Sequence, residues 1–186
     1  MPVGVAATAG SAGSGCWANH SSEPTHVAQR AGTAALMLHS RGEAACVRAG
    51  EPSDLNSVCD LYRAELCREP QIARVTHFLT DFPSAVALRE GLLVDFAYGV
   101  RFAPDNIGLA NIVDSTEQRD ARLAAVLLAR FEEGARTAGF RGVILVNSDL
   151  YPAGRTLTRS ASRFYLRNGY ELLRDTGSTR VFFKTL

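Results

Sequence analysis

The sequence predicts one folded domain of mixed α/β (α+β) class, with a central sheet of about seven strands flanked by about four helices. Apolar runs typical of strands alternate along the chain with segments that have the 3.6-residue period of helices. Two of the early apolar runs are joined by a short glycine-containing link, which indicates an antiparallel hairpin. A long amphipathic segment then separates two further strands, which indicates a parallel crossover.

The domain is predicted to begin with a strand and two helices. Residues 45–48 form the short strand, and Asp54 or the serine before it is placed to cap the next helix. The apolar side chains of that helix recur at helical spacing, at Leu55, Val58, Cys59, Tyr62 and Leu66. Pro70 ends this helix, and residues 71–81 are predicted to form a second, shorter one.

Three strands follow the two helices. Residues 84–89 and 92–102 are apolar runs on either side of Glu90-Gly91, and we predict that they pair as a hairpin. A second turn at residues 103–106 leads into another strand over residues 107–113.

The second half of the domain is predicted to be helix, strand, helix and hairpin. The long helix spans residues 121–138, with Leu123, Val126, Leu127, Phe131 and Ala135 on its apolar face, and it ends at Gly139. Residues 143–146 are apolar on both faces, which predicts a buried central strand. A short helix over residues 160–168 ends at Gly169. The last two strands are placed at residues 171–173 and 180–184.

Residues 1–44 differ in composition from residues 45–186. Nearly half of them are alanine, glycine or serine, and no periodic apolar pattern persists. Such a segment buries too little apolar surface to offset its ordering entropy, so we expect a flexible N-terminal tail. Met37 lies near its end and is an alternative natural start.

Composition argues against several classes of protein. Lys and Arg number 20 against 19 Asp and Glu, a net charge of +1, which disfavours nucleic-acid binding through bulk charge. The four cysteines show no C-x-x-C spacing, so we predict no metal site and a reduced, cytoplasmic environment. No apolar run is long enough to span a membrane, and the N-terminus lacks the pattern of a secretory signal.

A ten-residue motif near the C-terminus carries a family resemblance. Residues 161–170 read A-S-R-F-Y-L-R-N-G-Y, which resembles the A-x-x-[FL]-Y-x-x-x-G-[FY] segment of the GNAT superfamily of acyl-CoA-dependent N-acetyltransferases. The strand with Val47 and the helix near Asp54 are similar to the opening of that family, and residues 127–139 are similar to its central helix. The resemblance covers residues 45–186 and implies a GNAT-like mixed sheet.

The resemblance implies a coenzyme site at the start of the long helix, where the family binds the coenzyme pyrophosphate on a loop of pattern [RQ]-x-x-G-x-[GA]. Aligned from the helix, the pattern falls on residues 119–124, with Arg122 at the first glycine position. Aligned from the preceding strand, it falls on residues 118–123, with Ala121 at that position. Together with backbone N–H groups of the strand, the implied acetyl-CoA contacts are Ile112, Val113, Gln118, Arg119, Asp120, Ala121, Arg122, Leu123 and Ala124.

The resemblance also implies a catalytic role for Tyr165, which matches the family tyrosine that donates a proton to the departing coenzyme thiolate. A backbone N–H at Ile112 or Val113 would stabilise the developing oxyanion. The general base stays unassigned, because Asp114, Glu117 and Asp149 are interpreted as loop or cap residues and a chain of waters could serve instead.

The implied function is therefore transfer of an acetyl group from acetyl-CoA to a primary amine by direct attack in a ternary complex. The family accepts small metabolites, antibiotics, polyamines and protein N-termini, and the sequence does not choose among them. The alternative is a catalytically silent GNAT-like domain that binds a ligand or a partner through the same cleft or a sheet edge. Strand edges at the C-terminal hairpin would also accommodate a homodimer.

Overall fold

The computed structural model describes residues 35–40, 43–115, 120–148 and 161–186. Within these ranges the chain forms eight strands and four helices, with a short 3-10 turn at Pro52–Asp54. The strands are β1 (Leu36–Ser40), β2 (Glu43–Ala49), β3 (Ser84–Arg89), β4 (Leu92–Ala103), β5 (Asn106–Asp114), β6 (Gly142–Ser148), β7 (Glu171–Asp175) and β8 (Thr179–Thr185). The helices are α1 (Leu55–Leu66), α2 (Ile72–Thr80), α3 (Ala121–Thr137) and α4 (Ser162–Arg167).

All eight strands belong to one mixed sheet, in the order β1-β2-β3-β4-β5-β6-β8-β7. Each neighbouring pair is antiparallel except β5 and β6, which run parallel and are connected through α3. The antiparallel start and the single parallel crossover confirm the prediction from the sequence. Parallel neighbours require a long crossover connection, and the helix supplies it.

The helices cover the two faces of the sheet. On one face, α3 packs Leu123, Leu127 and Phe131 into a cluster with β3, β4, β5, β6 and β8, and residues of α4 contact the same cluster. On the other face, α1 and α2 pack against β4 and β5 through a second cluster that includes Val58 and Phe78. We call these the α3 face and the α1/α2 face.

The sheet has eight strands rather than seven because residues 36–40, which the sequence places in the tail, pair with β2. The pairing runs antiparallel from Leu36 opposite Val47 to Ser40 opposite Glu43. Met37 is 66% exposed, so this edge strand shows little of the burial pattern by which strands are recognised in sequence. Backbone hydrogen bonds to a neighbouring strand, which leave no mark on the side chains, define it instead. Residues 1–34 lie outside the described residues.

The buried strand predicted at residues 143–146 is buried on one face only. Val143 and Leu145 lie in the core cluster of the α3 face, whereas Val146 is 64% exposed. On the α1/α2 face, the helices make their main contacts with β4 and β5.

None of the described helices combines the length and apolar character needed to cross a membrane.

Within the described ranges, no three His, Cys, Asp or Glu side chains are grouped as metal ligands would be.

Candidate coenzyme and acyl-transfer site

Strands β5 and β6 pair along only part of their length. The last pair joins Leu109 to Leu145, after which β5 continues to Asp114 beside β4 and β6 continues to Ser148 beside β8. The carboxyl halves of two adjacent parallel strands therefore separate within the sheet. We call the resulting opening the β5/β6 wedge.

A bulge in β5 lies at the point where the wedge begins. Asn111 pairs with Tyr98 and Leu109 pairs with Gly99, so Ala110 is an extra residue in this strand. The extra residue reverses the alternation of side chains: Leu109 and then Ile112 pack on the α3 face. Val113 packs on the α1/α2 face.

The backbone amide of Ile112 is the one directed into the wedge. The amide of Ser115 donates to the carbonyl of Val94, at 2.9 Å. Because hydrogen-bonded positions alternate along an antiparallel ladder, Val113 directs its N–H to β4 and Ile112 directs its N–H away from β4. Of the two amides that the sequence left as alternatives, Ile112 has the orientation that an oxyanion in the wedge requires.

Six residues separate the end of β5 from the start of helix α3, and the last of them, Asp120, is the N-cap of the helix. The Asp120 carboxylate accepts a hydrogen bond from the backbone amide of Arg122, at 2.8 Å. Leu123 is buried in the core, whereas Arg122 is exposed. The N-terminus of this long helix presents amide groups and a partial positive charge, which favour an anion.

Ala121 and Ala124, which are also predicted coenzyme contacts, lie in the first turn of α3. Ala121 is exposed and Ala124 is half-buried. Gln118 and Arg119 lie outside the described residues.

Four charged side chains are buried or half-buried beside the start of α3. Asp95 of β4 is 2% exposed and lies opposite Asp114 of β5 in the ladder. Arg89 of β3 is 4% exposed, and its guanidinium lies 3.8 Å from the Asp120 carboxylate. Burial, reinforced by the negative charge of Asp114, raises the pKa of Asp95 to about 7, against a smaller lowering by the amide of Ser115 and the charge of Arg89.

Asp114, which the sequence predicts to be a loop or cap residue, is instead the last residue of β5. Glu117 and Asp149, the other candidate bases, lie outside the described residues. Sequence reasoning missed Arg89 and Asp95. A lone aspartate within the apolar first half of β4 is the available signal for the second of these.

Tyr165 lies on α4, and its half-buried ring packs on the α3 face. The ring centroid is 5.7 Å from that of Phe182 and 5.8 Å from that of Tyr170. The start of α4 is tied to the end of β6 by a hydrogen bond of 3.5 Å from the Asn147 amide to Ser162 Oγ. Tyr165 and Ile112 both pack against the core cluster of the α3 face, so these two predicted site residues lie on the same face of the sheet.

Solved structures of acetyltransferases share this architecture. The GNAT domain of S. lividans PAT superimposes with a TM-score of 0.63 at 17% identity, over 83% of this chain and 97% of that one. A ribosomal-protein-alanine N-acetyltransferase from Brucella melitensis gives a TM-score of 0.60 at 18% identity, over 75% and 99% of the two chains. The protein has the GNAT fold.

A further GNAT-fold relative was solved with its coenzyme. The PaiA N-acetyltransferase from Thermoplasma acidophilum, in complex with coenzyme A, matches with a TM-score of 0.55 at 14% identity, over 76% of this chain and 99% of that one. No family model and no curated protein matches the chain. At these identities the comparisons establish the GNAT fold, and the activity has to be argued from the site.

Proposed function

We propose that the protein is an N-acetyltransferase that moves an acetyl group from acetyl-CoA to a primary amine within a ternary complex. The observation that carries the proposal is the β5/β6 wedge, which has the start of α3 beside the carboxyl end of β5 and Tyr165 on the helix that follows β6. A long donor with an anionic end and a thioester end suits this arrangement.

The donor would bind along β5. The pantetheine arm carries amide groups that can pair with the backbone of β5 in the wedge, as an added strand would. Its pyrophosphate would lie at the start of α3, where residues 121–124 supply helix amides and Gln118 and Arg119 are proposed to complete the loop. The coenzyme complex of the Thermoplasma acidophilum relative supports coenzyme A as the donor class.

Acyl transfer would proceed by direct attack of the amine. A neutral amine attacks the thioester carbonyl carbon, and the Ile112 N–H stabilises the negative charge that develops on the oxygen. As the tetrahedral intermediate collapses, the C–S bond breaks and the Tyr165 hydroxyl protonates the departing thiolate. The attacking nitrogen loses its proton to water, and the phenolate of Tyr165 recovers a proton from solvent. Much of the acceleration comes from holding amine and thioester together.

A cytoplasmic location belongs to this proposal. Among the described residues, Cys46, Cys59 and Cys67 are all free thiols, which is consistent with a reducing compartment.

One observation favours the alternative of a catalytically silent GNAT-fold domain. The Asp120 carboxylate is bonded to the Arg122 amide, and an arginine rather than a glycine stands at that position. A carboxylate repels the coenzyme phosphates, and a large side chain restricts their approach to the backbone.

Binding and turnover measurements separate the two functions. Acetyl-CoA is titrated calorimetrically into the full chain, into Arg122→Gly and into Arg122→Ala, which removes the long side chain but keeps a Cβ. Micromolar binding by the native chain supports the acetyltransferase. Binding by Arg122→Gly alone supports the silent domain.

Turnover is then followed as free coenzyme thiol released in the presence of a panel of primary amines. We expect Tyr165→Phe to lower the rate by about 100-fold, because the phenol donates a proton to the leaving group. Its affinity for acetyl-CoA should stay within about twofold of the native value, because the hydroxyl acts on the thiolate and not on the bound thioester. Equal turnover by the variant and the native chain would exclude Tyr165 as the acid.

A further inference from the structure

Asp120 lies between two features that attract anions. One carboxylate oxygen accepts from the Arg122 amide at the start of α3, at 2.8 Å, and the other faces the Arg89 guanidinium at 3.8 Å. The Asp120 side chain is only 10% exposed, and that of Arg89 only 4%. A carboxylate therefore occupies the position, between a helix N-terminus and a buried arginine, that suits a phosphate group.

We propose that Asp120 is an internal competitor for the coenzyme pyrophosphate, and that coenzyme binds only when the Asp120 carboxylate leaves the Arg122 amide. The inference rests on the proposed function, because it assigns the start of α3 to the pyrophosphate. The Asp120 carboxylate and the coenzyme pyrophosphate require the same Arg122 amide, and their negative charges repel each other when both lie beside it. Asp120 thus sets the coenzyme affinity of the site.

Other charged side chains lie near Asp120. Asp95 of β4 and Asp114 of β5 add carboxyl groups on the same side of the helix start, and Arg89 of β3 is the cation among them. Arg89 also offers the carboxylate a partner other than the helix amide, since its guanidinium already lies 3.8 Å from the second carboxylate oxygen. Displacement by the coenzyme thus leaves the carboxylate with a partner.

Two substitutions separate the charge of Asp120 from its hydrogen bond. Asp120→Asn keeps an oxygen that can cap the helix but removes the charge, and Asp120→Gly frees the Arg122 amide at a small cost in capping. Asp105→Asn is the matched control, because Asp105 is an exposed aspartate in the turn before β5, at the opposite end of that strand. The full-length chains are titrated with coenzyme A and with S-acetylpantetheine, which has no pyrophosphate.

We expect Asp120→Gly to bind coenzyme A about tenfold or more tightly than the native chain, with a smaller gain for Asp120→Asn and none for Asp105→Asn. S-acetylpantetheine should bind native and variant chains within about twofold of each other. The inference is overturned, and the proposed function left standing, if both Asp120 variants bind coenzyme A no more tightly than the native chain does and unfold at the same temperature. Failure of all four chains to bind coenzyme A overturns both.

Discussion

The carboxyl group of Asp95 is buried in strand β4, and its titration makes the free energy of unfolding depend on pH. Burial and the neighbouring Asp114 raise the pKa of Asp95 from its ordinary 3.8 to about 7 in the folded chain. The folded chain therefore binds this proton more tightly than the unfolded chain does. The stabilisation of the folded chain by this proton is fully present below about pH 4 and is lost as the pH rises through about 7.

This coupling predicts that Asp95→Asn stabilises the protein at pH 8, because asparagine resembles the neutral carboxyl without its tendency to ionise. In the native chain, Asp95 contributes a fall of up to about 1.4 kcal/mol per pH unit in the free energy of unfolding between pH 4 and 7. Urea unfolding of both chains at a series of pH values measures this difference. A variant that is less stable than the native chain at pH 8 would contradict the assignment.

At the scale of elements, one buried ion pair links three of them. Lys184 of β8 donates to Glu132 of α3 and to the carbonyl of Asn168 at the end of α4, both at 2.7 Å. The ammonium group also lies 5.4 Å from the centre of the Tyr170 ring. This lysine therefore holds the end of α4, and with it Tyr165, against the sheet.

We predict that Lys184→Met lowers the free energy of unfolding by about 3 kcal/mol, since it leaves the Glu132 carboxylate buried without its cation. The double variant Lys184→Met/Glu132→Leu should recover most of that loss, because no charge is then left inside. Chemical denaturation of the four chains forms a double-mutant cycle. Additive losses would show that the two side chains act independently.

At the scale of the whole molecule, the boundary between tail and domain is open to test. We propose that the folded domain begins with β1 and that residues 1–34 contribute little to its stability. A chain of residues 35–186 should then unfold within about 2 °C of the full chain, whereas residues 45–186 lose β1 and part of β2 and should unfold several degrees lower.

Differential scanning calorimetry of the three chains measures these midpoints. A large loss of stability in residues 35–186 would show that the preceding segment packs on the domain.

Periodicity determined most of the fold. The apolar spacing on α1 and α3, the glycine stops at Gly139 (φ +85°) and Gly169 (φ +83°), and the hairpin of β3 and β4 are all local signals, and the structure confirms them. Local signals are readable because helical spacing, left-handed glycines and tight turns depend on residues close in sequence.

The candidate site was only partly predictable. The motif at residues 161–170 placed Tyr165 on a helix, and the helix pattern placed the start of α3 near residue 121. The bulge at Ala110, the orientation of the Ile112 amide and the cluster around Arg89 and Asp95 could not be predicted, because each depends on how separate strands are aligned.

The sequence by itself determined the fold class, the order of the elements from β2 onward and the candidate proton donor. Tertiary structure decided the edge strand β1, the exposure of Val146, the opening of the sheet between β5 and β6, and the approach of the buried Arg89 to Asp120. The physical reason is that spacing along the chain encodes local conformation. Strand register, burial and the pKa of Asp95 arise only when distant segments meet.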